Sequence, residues 1–298
     1  MSSLSEANCQ SSSNRSLRFS DRVFTFSLIV ILCFYALILI GMLLADVLYL
    51  FSNQGTAMVE VFEALQSPEI KSSICLSLLS CSLSAFLSIF VAVPIAYFLA
   101  TSEFRGKHLV DAIMDIPIIL PPLVIGMSLL ILFQFAPFTW KWNDFFPSNS
   151  SWADRSLNAW VVYQVPAVII AQFTVAAAFA IRTLKVSFEQ LDRRPEQVAW
   201  TLGCSRYQAF KRVSLPQVQS GIIAAWTLAW ARSLGEFGPI LMFAGATRNK
   251  TEVLSTTVFI EMSTGNLKTA VAVSLIMILT AFTVLITARV FGNRGLPI

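Results

Sequence analysis

Two opposite charges stand inside an apolar run, Arg232 and Glu236 in Ala231-Arg232-Ser233-Leu234-Gly235-Glu236-Phe237-Gly238-Pro239. Four residues apart, they share one helix face and can neutralise each other. Left unpaired in hydrocarbon, either would be strongly destabilising. At about 1.5 Å per residue from Gln217, Arg232 would lie roughly 22 Å along a helix, past the bilayer midplane if Gln217 marks the inner boundary. Gly235, Gly238 and Pro239 admit the close approach of another backbone, or a break that opens amide groups to a cavity. The chemistry this suggests is the wall or gate of a translocation route; a route for an anion would tolerate one arginine whose charge is largely cancelled, since a bare cation would hold the solute too tightly. The same spacing also suits a structural ion pair between packed helices.

Other titratable groups offer less. Asp111 and Asp115 share a face near the inner end of another apolar run, just before Pro117, Pro121 and Pro122, where helix-end capping and packing fit better than a proton site. His108, the one histidine, lies beside Lys107 in a basic stretch, and no nucleophile–base pair can be built around it. A membrane-embedded hydrolase is therefore disfavoured, and no catalytic residue is assigned. Cys9, Cys33, Cys75, Cys81 and Cys204 show no C-x-x-C spacing, which argues against a disulfide framework or a metal site. The phosphate-cradling pattern G-x-x-x-x-G-K-[ST] does not occur: Gly106-Lys107 is the one Gly-Lys pair, and Thr101 stands where the first glycine belongs. The chain itself is expected to bind no nucleotide and no other cofactor.

The surrounding elements must cross a membrane. Of 298 residues 56% are hydrophobic and 13% charged, with mean hydropathy +0.70, against roughly a quarter charged in soluble domains. A span needs about 20 mostly apolar residues. Six runs qualify: Val23–Leu50, Ser73–Ala100, Leu109–Phe135, Leu157–Ile181, Gln217–Phe243 and Thr269–Ala288. The first is too long for the core of a cleaved signal peptide and is kept as a helix. The tail 1–22, rich in Ser, Asn and Arg, is expected to stay disordered or to lie on a surface. The fold class is thus an all-α integral membrane bundle of about six helices.

Cytoplasmic loops carry an excess of Lys and Arg. With the amino terminus inside, fourteen of the 21 basic residues fall inside and six outside, Arg232 lying within a span. Both termini are therefore expected in the cytoplasm, with 290–298 as a short inner tail. The net charge of +4 is dispersed between apolar runs, so it sets topology rather than marking a nucleic-acid surface. Outside, Trp140, Trp142, Trp152 and Trp160 suit an interfacial anchor belt, or a docking surface for an external partner. Thr251 to Gly265, with Leu254, Val258 and Met262 at helical spacing, predicts a short outer helix before the last span.

The longest inner segment, residues 189–216, reads as two short helices. Pro195 suits a first helical position, Glu196 complements the positive helix end behind it, and Gly203 supplies a left-handed stop. Ser205 and Gln208 form an S-x-x-Q capping box for a second helix, Lys211 and Arg212 suit its carboxyl end, and Leu215-Pro216 closes it. Neither helix can cross a membrane. Both show apolar side chains, Val198, Ala199 and Leu202 on one and Tyr207, Phe210 and Val213 on the other, a surface that calls for a partner or for lipid headgroups.

Glu196-Gln197-Val198-Ala199-x-x-x-Gly203, followed after nine residues by Val213-Ser214-Leu215-Pro216, resembles the ATPase-docking loop of bacterial ABC importer permeases, E-A-A-x-x-x-G, nine residues, I-x-L-P. The E-A-A part departs: the aligned positions are Gln197, Val198 and Ala199, with the carboxylate one place earlier. Leu120-Pro121-Pro122-Leu123-Val124-Ile125-Gly126 and the run 231–238 are similar to the molybdate, tungstate and sulfate branch, and Gly245 and Gly265-Asn266 lean towards its molybdate/tungstate members. The similarity covers about 72–289.

It implies a type I importer permease fold, a permease homodimer in the cell inner membrane, two cytoplasmic P-loop ATPase subunits that hold ATP and Mg, and an extracytoplasmic solute-binding protein. In residues it implies ATPase docking by Glu196, Gln197, Ala199, Gly203, Ser205, Tyr207, Phe210, Leu215 and Pro216. A passage or gate then falls at Arg232, Gly235, Glu236 and Gly238. An ion-coupled secondary transporter would explain the spans but leave the inner two-helix loop without a purpose.

Overall fold

The computed structural model describes residues 2–52, 66–135, 137–139 and 156–292. Most of the tryptophan cluster, and the tail 290–298 beyond Gly292, lie outside them. Helix α1 runs Ser2–Ser52 and forms a unit by itself, 1–58. From Phe24 to Tyr49 none of its side chains is buried; a helix apolar on all sides is one solvated by lipid. The tail 2–22, expected to be disordered or to lie on a surface, is helical and continuous with this span. Serine and asparagine nucleate helices poorly, but extending an existing helix needs no new nucleus.

In the second unit, α2 (Pro68–Thr101) and α6 (Val165–Glu189) are unbroken and long enough to span, as is α12 (Leu267–Gly292). They enclose the second and last expected spans, but the fourth needs correction. Val165, not Leu157, begins α6. A short turn, α5 (Leu157–Val161), comes first, and Tyr163 at φ +58° breaks the chain between them. At its other end α6 continues past Ile181 to Glu189.

The expected straight third span, Leu109–Phe135, is also corrected. It is two helices, α3 (Lys107–Ile119) and α4 (Pro122–Leu132), bent by 109°. A residue before proline is pushed out of the helical region, and here both Leu120 and Pro121 precede one, at ψ 142° and 134°. The fifth expected span, Gln217–Phe243, likewise divides into α9 (Gln219–Leu234) and α10 (Gly238–Phe243), separated at Gly235 to Phe237. Four of the described helices are long and apolar enough to cross alone, or five if the bent pair is one span, where about six were expected.

Helices α2, α6 and α9 form the centre. Their shared faces carry small side chains, Ala85, Ala92 and Ala96 against Ala176, Ala180 and Ala225, all fully buried. Lipid gives helices no hydrophobic reason to associate, so close backbone approach through small residues is what holds such a bundle. Polar links add register: Trp230 donates to the Ser82 hydroxyl at 3.2 Å, Ser233 to Ser84 at 3.4 Å, and Gln172 to the Ser233 carbonyl at 3.3 Å.

The outer helix is present as α11 (Leu254–Ser263), and Gly265 at φ +85° follows its end. The Leu254 amide donates to Ser77 of α2 at 2.8 Å, while Arg248 bridges Glu69 at 2.7 Å and Glu261 at 3.0 Å. Burial lifts the neighbouring Glu252 carboxyl above the usual carboxylate range, with Thr257 and Arg248 pulling the other way. On the inner side Asp111 and Asp115 are not helix caps: they pair across to α6, with Lys185 at 2.8 Å and Arg182 at 2.5 Å.

Candidate functional site

The inner loop folds as its caps dictate. Helix α7 spans Arg194–Thr201 with Pro195 in its first turn. Gly203, at φ +88°, donates to the Trp200 carbonyl at 3.0 Å, and Cys204 donates to that of Ala199 at 3.0 Å. This is the Schellman pair that closes a helix through a left-handed residue. Helix α8 (Arg206–Ala209) starts at a complete capping box: Gln208 N–H donates to the Ser205 hydroxyl at 3.3 Å, and Ser205 N–H to Gln208 Oε1 at 2.9 Å. A π-helical turn, Phe210–Ser214, carries Lys211 and Arg212 and passes through Leu215-Pro216 into α9.

The nine residues expected to dock an ATPase do not share one surface. Leu202 is 79% and Tyr207 68% exposed, and Gln197, Val198 and Trp200 are exposed beside them. Arg206 lies over the Trp200 ring at 6.0 Å, within reach of a cation–π contact. Gly203, Ser205 and Pro216 are exposed as well, and Leu215 is half-buried.

Glu196, Ala199 and Phe210 turn inward. Glu196 is 7% exposed, accepting from the Tyr97 hydroxyl at 2.5 Å and from Ser214 at 2.9 Å. Phe210 packs on Tyr97, ring centres 4.5 Å apart. Sequence reasoning missed Tyr97 and Ser214. The available signal was a tyrosine at the inner end of an apolar span, where a buried hydroxyl needs a partner.

The second candidate region lies where the two broken spans cross. Arg232 Nη1 is 2.9 Å from Glu236 Oε1, so the expected pair forms. Glu236 is 1% exposed and Arg232 30%, its guanidinium 5.5 Å from the Phe179 ring centre. The alignment is that of an ion pair rather than a hydrogen bond, since Oε1 makes none. Ser255 of α11 holds the break by donating to the Glu236 carbonyl at 2.7 Å.

Glycines set the crossing. A Cβ at Gly126 of α4 would stand 2.8 Å from Pro239 Cα, and one at Gly238 3.0 Å from the Leu123 nitrogen. The runs 120–126 and 231–238, far apart in sequence, are thus brought into contact. Gly235 has an ordinary φ of −82°, and its role is to end α9.

Removing one member of the pair exposes its worth. Arg232→Gln should lower stability by up to about 3 kcal/mol, because Glu236 is then buried without its counter-charge while partial exposure of Arg232 tempers the loss. The double variant R232Q/E236Q should recover most of it, as thermal unfolding in detergent would show. A double variant no more stable than the single one would contradict the pairing.

These elements define a polytopic helical membrane protein whose Lys- and Arg-rich side carries a capped two-helix projection. The chain belongs to the family described as "Binding-protein-dependent transport system inner membrane component", which matches residues 92–294, and it is a multi-pass inner-membrane protein of that family. It is 29% identical to the "Sulfate transport system permease protein CysT" of Escherichia coli (strain K12), over 91% of this chain and 93% of that one. It is 31% identical to the "Molybdate/tungstate transport system permease protein WtpB" of Pyrococcus abyssi (strain GE5 / Orsay), over 66% and 70%. A "Probable molybdenum ABC transporter permease protein" of Haloferax volcanii shows 32% identity over 73% and 74%.

Among solved structures, a bacterial alginate ABC transporter in complex with an alginate-bound periplasmic protein superposes with TM-score 0.60 at 18% identity, covering 86% of this chain and 94% of that one. The inward-facing MetNI methionine ABC transporter gives 0.57 at 15% identity, covering 76% and 95%. The fold is that of ABC importer permeases.

Proposed function

We propose that this chain is the transmembrane permease subunit of an ATP-driven importer carrying an oxyanion, molybdate or tungstate, into the cell. The observation that carries this reading is the projecting hairpin, two short capped helices with Leu202 and Tyr207 bare on the inner side. Such an apolar surface marks a contact with a protein or with lipid, and membership of a binding-protein-dependent transport family favours a protein partner. The chain has no phosphate-cradling loop, so ATP and Mg are held by that partner and this subunit is not itself the enzyme.

Two copies of the permease, two P-loop ATPase subunits and an extracytoplasmic binding protein make the working assembly. Solute passes the crossing of the broken helices, with Arg232, Gly235, Glu236 and Gly238 at its gate. Motif similarity and the names of the archaeal relatives favour molybdate and tungstate. Sulfate is the second reading, favoured by a relative named for sulfate transport that aligns over 91% of the chain.

Reconstitution in vesicles with the ATPase and binding protein, and uptake of molybdate, tungstate and sulfate measured side by side, tests it. The expected result is ATP-dependent uptake of molybdate and tungstate above that of sulfate. Preference for sulfate would select the second reading. Uptake that needs no ATPase would overturn both.

A further inference from the structure

Glu196 occupies a position that a docking contact does not require. A carboxylate in the first turn of a helix already gains from the positive helix end while exposed to water, whereas burying it is tolerated only with charge-assisted hydrogen bonds. Both oxygens are taken by the chain's own hydroxyls, Oε1 by Tyr97 at 2.5 Å and Oε2 by Ser214 at 2.9 Å. Tyr97 lies in the last turns of α2, and Ser214 ends the π turn that feeds α9.

The attachment is doubled one turn away. Arg193 donates to the Ala100 carbonyl at 2.5 Å and to that of Thr101 at 3.5 Å, placing a cation at the carboxyl end of α2, where one is favoured. Aromatic packing encloses the junction: the Tyr97 ring is 5.6 Å from Phe188 of α6 and 4.5 Å from Phe210. The next residue, Gln197, is exposed, and it stands where the docking pattern of related loops has its carboxylate.

We infer that Glu196 is a positioning residue: the Tyr97–Glu196–Ser214 junction fastens the docking helices to the inner end of α2 and the foot of α9, so that displacing the hairpin moves both helices. This rests on the docking reading above. Without the fastening, a hairpin drawn sideways would swing about Gly203 and the π turn. With it, movement passes into α9, which is linked to α2 again at Ser233–Ser84 and ends at the Arg232–Glu236 break.

Three conservative variants test the junction, Tyr97→Phe, Ser214→Ala and Glu196→Gln, together with the charge transplant E196Q/Q197E. In the permease alone, hydrogen exchange of the amides in 194–209 should accelerate about 10-fold on loss of one hydrogen bond to a charged group. In the full complex the ATPase should still co-purify and basal hydrolysis should persist, while binding-protein-stimulated hydrolysis and uptake fall together by a similar factor. The transplant should not rescue Glu196→Gln.

Unchanged exchange in all three variants would overturn the fastening. Accelerated exchange with full stimulation would overturn its role in transmission. Rescue by the transplant would make the carboxylate an ATPase contact after all. The exchange arm needs no ATPase, so a wild-type complex that shows no stimulated hydrolysis would count against the proposed function and leave the judgement on the junction standing.

Discussion

Gly203→Val should abolish solute-stimulated ATP hydrolysis and uptake while leaving membrane insertion and the helical spectrum of the permease unchanged. The reason is conformational rather than steric. A Cβ at Gly203 would meet nothing within 4 Å, yet the residue sits at φ +88°. A β-branched side chain is strained there by about 1–3 kcal/mol. That offsets all that two such hydrogen bonds return, about 1–3 kcal/mol together, so the left-handed cap is no longer favoured and the donors from Gly203 and Cys204 would detach. Helix α7 would then fray from its carboxyl end, and the angle between α7 and α8 would be lost.

Gly203→Asn, which enters the same region more readily, should retain most activity. Stimulated ATPase activity and uptake of the three variants, wild type included, decide the matter. Full coupling in Gly203→Val would remove the hinge from the account.

Gly126→Val should fail for the opposite reason, and at the level of the fold. The space at Gly126 is filled by backbone: a Cβ would lie 2.8 Å from Pro239 Cα and 2.9 Å from the Pro239 carbonyl oxygen, with Met242 Cβ also at 2.9 Å. None of these is the movable end of a long side chain. Alanine should lower stability by about 1–3 kcal/mol, the range for overpacking, and valine by more. The expected signs are a reduced yield of folded protein, a lower Tm in detergent and no transport at any ATPase concentration. A Gly126→Val protein with wild-type Tm would show that α4 and α10 do not cross as described.

The parts of the site legible in the sequence were those governed by neighbours along the chain. Gly203 as a stop, Ser205 with Gln208 as a capping box, the i,i+4 pairing of Arg232 with Glu236 and the outer helix before Gly265 all follow from rules that act within one or two turns, and each is present. The break at Pro121-Pro122 was visible as residues but was read through as a single span, whereas a break at Gly235 to Pro239 was one of the two readings its glycines allowed, and it is present. Hydropathy records composition, not direction, and a 109° bend leaves it unchanged.

Glu196 was the harder case. Its place in a first turn explains an acid there without any further partner, and the group that does hold it, Tyr97, lies 99 residues earlier. The docking set thus combines residues of the bare face of the hairpin with others that lie at its back. Of the two states expected of 2–22, disorder is not the one found, for a related reason: composition ignores the helix next door.

The crossing at Gly126 and Pro239 leaves room for hydrogen and for nothing larger. Two stretches of chain remote from each other in the gene therefore share one allowance of volume, and neither can drift alone. Enlarging position 126 is open to a lineage only after the segment around Pro239 has first withdrawn.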